Sequence, residues 1–237
     1  MDRTAIEKIE ELCAPHLEEI QGYAYTDKEL YPINSPQVQG LTFHTLDGLI
    51  ETLRAECIYF NQPILIDVHD EKEVRVYSAI STIDRQREKP YIVTAELVDI
   101  PFNRKIDYES MMITLKSKFV ETPELLDLVK LLGTITEENN AVTADDGFTQ
   151  TVVVRKGIAI KENKAFNPII RLKPYRTFSE VDQPESQFLI RLSEGAQVAL
   201  YEADGGAWKL QARRNIVDYL KTALEDLVKA NAVIVVE

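Results

Sequence analysis

Apolar residues recur along the chain with two periods, and the changes between them mark out the expected elements. Ile6, Ile9, Cys13, Leu17 and Ile20 fall at helical spacing, with Glu7, Glu10, Glu11, Glu18 and Glu19 on the other faces. This predicts an acidic amphipathic helix that kinks or restarts at Pro15, where a backbone donor is lost. Over residues 22–40, Tyr23, Tyr25 and Tyr31 stand among Pro32, Asn34, Ser35 and Pro36, the pattern of an extended arm whose rings need an anchor. A short strand over 41–44 leads to Thr45, a capping residue for a helix with Leu46, Leu49, Ile50 and Leu53 on one face, its first turn weakened by Gly48. ILIDVHD and EVRVYSAIS alternate with period two around a turn at 70–72, and another strand follows over 91–97. A three-stranded meander is expected.

Asp107 is placed to cap a helix carrying Tyr108, Met111, Met112, Leu115 and Phe119, and Thr122-Pro123-Glu124 opens a second helix that should stop at Gly133. The period then falls to two. Strands are expected over 134–142, 149–155, 169–172, 187–192 and 197–201, with a hairpin tip at Asp145-Asp146-Gly147 and a polar turn at 161–164. Pro174 and Pro184 confine strand ends to edges or connections. After Gly205-Gly206, a long helix is traced by Leu210, Val217, Leu220, Leu224 and Leu227, and residues 232–236 read as a closing strand. This order is not a βαβ alternation. It predicts an α+β fold with mainly antiparallel sheets built from hairpins and several amphipathic helices. Residues 1–41 form an N-terminal helix and arm, and residues 42–237 a single α+β domain with a weak internal boundary near 133–140.

With 237 residues and 45% hydrophobic content, the chain can bury a sizeable core. Its formal net charge of −12 opposes general adhesion to nucleic acid or anionic lipid. Cys13 and Cys57 occupy apolar helical positions without CxxC spacing, so both are expected as buried free thiols in a reducing compartment. The start, MDRTAIEKIEEL, has acids where a secretory leader would be basic, and no stretch approaches the roughly 20 apolar residues of a membrane span. A cytoplasmic protein with no membrane partner is expected.

Candidate chemistry is sparse. His16, His44 and His69 are scattered; Asp67 and His69 share a strand face beside Asp70, yet no further ligands stand at metal-binding spacing, and a solvated hairpin edge is the expected reading. Asp145 and Asp146 followed by Glu162-Asn163-Lys164 imitate the acid, then acid-x-Lys, order of magnesium-dependent nucleases, but the second element looks like a turn rather than the strand such a site needs. Ala203-Asp204-Gly205-Gly206 could present backbone N–H groups to an anion, but Asp204 and Glu202 would repel it, so a tight turn is expected. A local basic segment is more distinctive: Arg155, Lys156, Lys161, Lys164, Arg171, Lys173 and Arg176 enclose one acid, Glu162, and are interleaved with Phe166, Tyr175 and Phe178. Cations with aromatic rings can hold a phosphate backbone and stack bases. They can also neutralise carboxylates of the same chain or of another copy, and the net charge favours that. No cofactor, metal or catalytic residue is expected.

The segment LKPYRTFSEVDQPESQFLIRL, with ALYEADGGAWKL after it and HTLDGLIETL, FNRKIDYES and LLDLVKLLGTI before it, resembles a family of bacteriophage and prophage proteins of low-GC Gram-positive bacteria. The order of elements is similar, more distantly, to the YfdQ-like prophage family. The resemblance spans residues 42–220. It implies a phage origin and action in the cytoplasm of an infected host, and it carries over no catalytic residue. The expected function is a non-enzymatic accessory protein acting as a homo-oligomer, such as a capsid-like shell subunit or a binder of a host defence protein. The alternatives are a nucleic-acid-binding module of phage recombination or replication using residues 155–176, and a magnesium-dependent nuclease or phosphodiesterase.

Overall fold

A computed structural model describes residues 3–21, 23–28, 39–60, 62–82, 85–136, 142–145, 150–156, 159–193 and 197–237, with the backbone alone for Glu11, Leu12, Tyr23, Cys57 and the described part of 134–166. The chain divides into two compact units, Met1–Gln37 and Val38–Glu237. No described helix is long and apolar enough to cross a membrane.

The first unit holds α1 (Arg3–Cys13) and a hairpin of β1 (Leu17–Ile20) and β2 (Tyr23–Thr26), paired from Leu17↔Thr26 to Ile20↔Tyr23. The expected restart after Pro15 does not occur. The helix ends two residues before the proline, and Leu17 and Ile20 belong to a strand. The residue before a proline is pushed out of the helical region, so the period-3.6 reading had no helix to continue into. Asp27 ties the hairpin's open end: its carboxylate accepts the N–H of His16 at 2.8 Å, the main cause holding its pKa below the usual value. Cys13 is an exposed free thiol, not a buried one. Apart from half-buried Lys28, every side chain described in this unit is exposed. The expected arm beyond residue 28 lies outside the described residues up to 38.

The second unit is built on two cores. The first lies on a five-stranded sheet made of β3 (Leu41–Phe43), β4 (Ile64–Val68), β5 (Glu73–Tyr77), β6 (Tyr91–Thr94) and β14 (Val233–Val236), in the order β14-β4-β5-β6-β3. The expected meander, β4 to β6, is antiparallel; the two outer strands each pair parallel to their neighbours. Alternate residues Ile64, Ile66, Val68, Val74, Val76, Val233 and Val235 are buried against two helices. These are α2 (Leu46–Glu56), continued by a 3-10 turn over Cys57–Tyr59, and α5 (Trp208–Ala223), followed by α6 (Glu225–Lys229). Thr45 caps α2 as expected, its hydroxyl accepting the N–H of Gly48 at 3.2 Å. On α5 the buried stripe is Trp208, Ala212, Ile216, Val217 and Leu220; Leu210, expected on it, is exposed.

The second core joins a four-stranded antiparallel sheet to two helices. Between β6 and this sheet's first strand, β7 (Lys105–Asp107), the chain has no regular element; α3 (Tyr108–Lys118) and α4 (Pro123–Thr136) follow. The order is β11-β12-β13-β7, where β11 is Ile169–Leu172, β12 is Ser186–Ser193 and β13 is Gln197–Glu202. Asp107 caps α3 through the N–H of Ser110 at 2.8 Å, and Thr122 caps α4 through that of Leu125 at 3.2 Å. Helix α4 runs three residues past Gly133, where it was expected to stop. A side chain there would meet nothing nearer than Met112 Sδ at 3.8 Å, so the site demands neither a left-handed residue nor a close approach. Tyr108, Met111, Leu115, Leu125, Leu128 and Leu132 pack on Leu172, Phe188, Ile190, Val198 and Leu200. Thus α4, before residues 133–140, and β11 to β13, after them, share one core.

Between α4 and β11 lie β8 (Val142–Asp145), β9 (Gln150–Lys156) and β10 (Ala159–Phe166), an antiparallel meander. The expected turn at 161–164 is in fact part of β10, with a register shift between Lys161 and Lys164. Main-chain pairing sets a strand here without the alternation of apolar residues that marks one in sequence, and the shift has the count of a bulge. The hairpin tip expected at Asp146 and Gly147 lies outside the described residues.

Candidate functional site

The segment between β11 and β12, residues 173–185, is where the sequence concentrates its cations and rings. It leaves the second core and enters the first, in which Phe178 and Val181 are buried. Gln183, itself buried, holds the excursion closed: its amide oxygen accepts the N–H of Arg176 at 3.0 Å, and its amide nitrogen donates to the carbonyl of Phe178 at 2.8 Å. Glu180 caps α2 by accepting the N–H of Leu46 at 2.7 Å, Thr177 donates to the carbonyl of Glu71, and Asn215 on α5 donates to that of Asp182. These bonds join parts of the chain more than 30 residues apart.

Arg176 is the hub. Its side chain is 7% exposed, with the guanidinium 3.8 Å above the Trp208 ring, one nitrogen 2.5 Å from Glu202 and another donating to the Ser186 hydroxyl. Burial pulls its pKa down to about 10, against the pull of Glu202, Asp204 and Glu71. Asp204 completes the network. Burial pushes its carboxyl up, but the Ser186 hydroxyl, the N–H groups of Gly206 and Trp208 and the charge of Arg176 together hold it below the ordinary value. Those N–H groups are bound by Asp204 at 3.1 and 3.3 Å, so the ADGG turn serves its own chain. Gly205 and Gly206 take φ of 62° and 82°, which explains the glycine pair.

The expected cationic-aromatic surface therefore divides. Arg176 and Phe178 are interior. Arg171 is 3.6 Å from Glu185 and Lys173 is 3.3 Å from Asp182, so both answer carboxylates of this chain; Tyr175 is exposed. Arg155 and Lys156 lie on β9, and Lys161, Lys164 and Phe166 on β10, with Lys161 opposite Val154 and Lys164 opposite Val152. Their burial sets Arg176 and Phe178 apart from any surface patch that the others could form.

Among the described residues, the carboxylates of the nuclease-like pattern are not adjacent, and Asp146 lies outside them. Asp145 on β8 and Phe166 on β10 both pair with Gln150, so Asp145 stands two strands across and four residues along from Glu162. At about 4.8 Å per strand and 3.3 Å per residue this puts their backbones roughly 15 Å apart, too far for two carboxylates to share one ion. Asp67 lies 3.8 Å from His69, but Asp70 is committed to its turn through the N–H of Lys72, and His44 bonds the carbonyl of Thr94. His16 sits in the other unit. Among the described residues no three His, Cys, Asp or Glu form a metal-binding group.

What the sequence did not flag is an open groove of about 270 Å³ lined by Phe60, Gln62 and residues 78–82. Ile58 and Tyr59, just before Phe60, are 75% and 77% exposed, and Ile80 in the wall is also exposed. Phe60 packs edge-on to Tyr91 with centroids 6.5 Å apart, so the floor is anchored in the first core. The return loop is bonded to this wall: the N–H of Arg85 reaches the carbonyl of Ser81 at 3.0 Å, and the guanidinium of Arg87 that of Ser78 at 2.6 Å. A signal existed in the sequence, since Ile58 and Tyr59 fall off the stripe Leu46, Leu49, Ile50, Leu53 that faces the core. Apolar side chains that neither share a core stripe nor find cover commonly mark contacts with other molecules. No protein-family model matches the chain, and no curated protein or solved structure matches it.

Proposed function

We propose that this chain is a non-enzymatic accessory protein of a bacteriophage or prophage that works as a homo-oligomer in the infected host. The observation that carries the assembly reading is the first unit: an amphipathic helix and a hairpin with no buried side chain among those described. An isolated 11-residue helix is marginal in water, and so is a two-stranded hairpin. Ile6, Ile9, Leu17, Ile20 and Tyr25 are all exposed. Such elements gain their stability by burying that stripe on another surface. A second copy fits, because most soluble oligomers are homo-oligomers. The phage origin rests on the resemblance of residues 42–220.

The reading as a nucleic-acid module is weakened, since Arg171, Lys173 and Arg176 are engaged with carboxylates of the same chain. Native mass spectrometry of the intact protein at about 10 µM is expected to give a dimer or larger species, in line with an interface of standard size. A monomer there contradicts the reading.

A further inference from the structure

We infer that β14, at one edge of the five-stranded sheet, pairs antiparallel with β14 of a second copy and joins two such sheets into one. The inference rests on the homo-oligomer reading and names a contact of that assembly. On one side β14 pairs parallel with β4, from Val233↔Ile64 to Val236↔Asp67; on the other, no strand lies among the described residues. The N–H of Ile64 donates to the carbonyl of Ala232 at 3.0 Å, which fixes the alternation along the strand. Residues 232, 234 and 236 turn their main-chain groups to β4, so those of Val233 and Val235 point away from the sheet. Main-chain groups so placed are a template for another strand.

Sheet edges are commonly blunted by brevity, charge or proline. In the four- and five-stranded sheets, edge strand β3 has three residues, β7 carries Lys105 and Asp107, and β11 carries Arg171. By contrast, β14 is Val-Ile-Val-Val, wholly β-branched and apolar, and its register with β4 runs without a shift. Val233 and Val235 are buried on the helix-covered face, whereas Ile234 and Val236, on the opposite face, are 49% and 36% exposed.

The same strand of a second copy suits this edge. A two-fold axis normal to the sheet keeps the helices of both copies on one face, and Val233 and Val235 must then stay on that face, since a slip of one residue would turn them to the other. Two registers satisfy this. One centred on Val235 sets Glu237 opposite Val233, a charge against a position buried under the helices. The one centred on Ile234 sets Glu237 opposite Asn231 and Val233 opposite Val235, each such pair exchanging both main-chain bonds. Glu237 lies 3.9 Å from Arg213 of its own chain, and antiparallel pairing keeps the two copies of Glu237 at opposite ends of the joint, where parallel pairing would set them side by side. Ile234 then faces Ile234 of the second copy at a non-hydrogen-bonded site, where side chains approach most closely. Its neighbour across β4 is Leu65, so one apolar row crosses the joint from copy to copy.

The test turns on Ile234, whose exposed side chain lies outside the core. Ile234→Lys and Ile234→Glu each set like charges face to face, so each full-length variant should self-associate at least about tenfold more weakly than the native protein in sedimentation velocity, with an unchanged circular dichroism spectrum. Mixed in equal amounts, the two should recover association, and native mass spectrometry should find species holding both variants in equal number. Residue-resolved amide exchange of the native protein gives a check that needs no variant. The N–H groups of Val233 and Val235 should gain protection as concentration rises, while those of Ile234 and Val236, bonded to β4, should be protected throughout. Full association in both variants, a mixture that does not recover, or outward amides whose protection does not change with concentration overturns the edge pairing, and the homo-oligomer reading stands as long as the native protein associates. A native protein that is monomeric throughout overturns both.

Discussion

Replacing Arg176 with methionine is expected to destabilise the fold by about 3 kcal/mol or more, seen as a lower urea midpoint with little change in slope. Methionine keeps the apolar stem beside Trp208 but removes the charge that Glu202, Asp204 and Glu71 face. A buried pair is costly to form, yet losing one partner costs more, because the remaining carboxylates stay desolvated without a counter-charge. Glu202 is 37% exposed and can turn to water, which keeps the estimate at the lower end of the range for such losses. A companion change, Glu202→Gln, should recover part of the loss, so the two effects should not add.

The pH dependence follows the same network. Asp204 is held below its unfolded pKa, so its contribution to stability is full above the ordinary aspartate value near 4 and is lost as pH falls through the depressed one. Taking away Arg176 removes one of the influences that depress it. The variant should therefore begin acid unfolding at a higher pH than the native protein. An unchanged urea midpoint and acid limb would mean that the buried network is not what joins the two cores.

Phe178→Ala should cost about 3–5 kcal/mol, the usual range for a ring removed from a packed interior. Phe178 reaches the first core from a segment whose two ends belong to the second, so the change strikes the link between them. The sequence placed this ring on a contact surface, and that makes the outcome informative. Stability should fall while self-association, measured where the variant is fully folded, stays native. Normal stability with lost assembly would return Phe178 to the surface.

Why the two differ can be read from particular residues. Elements with a continuous apolar period were legible: α2, α3, α5, the meander β4 to β6 and the strands β11 to β13 all lie close to where the spacing puts them. Segment 173–185 has no period, because its rings and cation are placed by bonds to Glu71, Leu46 and Asn215, and nothing in the local sequence announces partners so distant. Strand β7 was missed because Lys105-Ile106-Asp107 holds a single apolar residue, too little for alternation to register. In β10, the run Lys161-Glu162-Asn163-Lys164 has no apolar residue at all, so its strand state comes from main-chain pairing. The groove was hidden for a related reason. Phe60 and Ile80 are separated by the β4–β5 hairpin, and only the sheet brings them together.

Hydrogen–deuterium exchange of residues 3–13 at two protein concentrations tests the central claim, that the first unit is ordered by a second copy. An isolated helix of this length exchanges almost as fast as an unfolded chain, whereas a docked one is protected. The α1 amides should be protected at tens of micromolar and lose that protection on dilution, in step with dissociation of the assembly. Protection that is absent at high concentration, or that persists unchanged on dilution to a monomer, would contradict it.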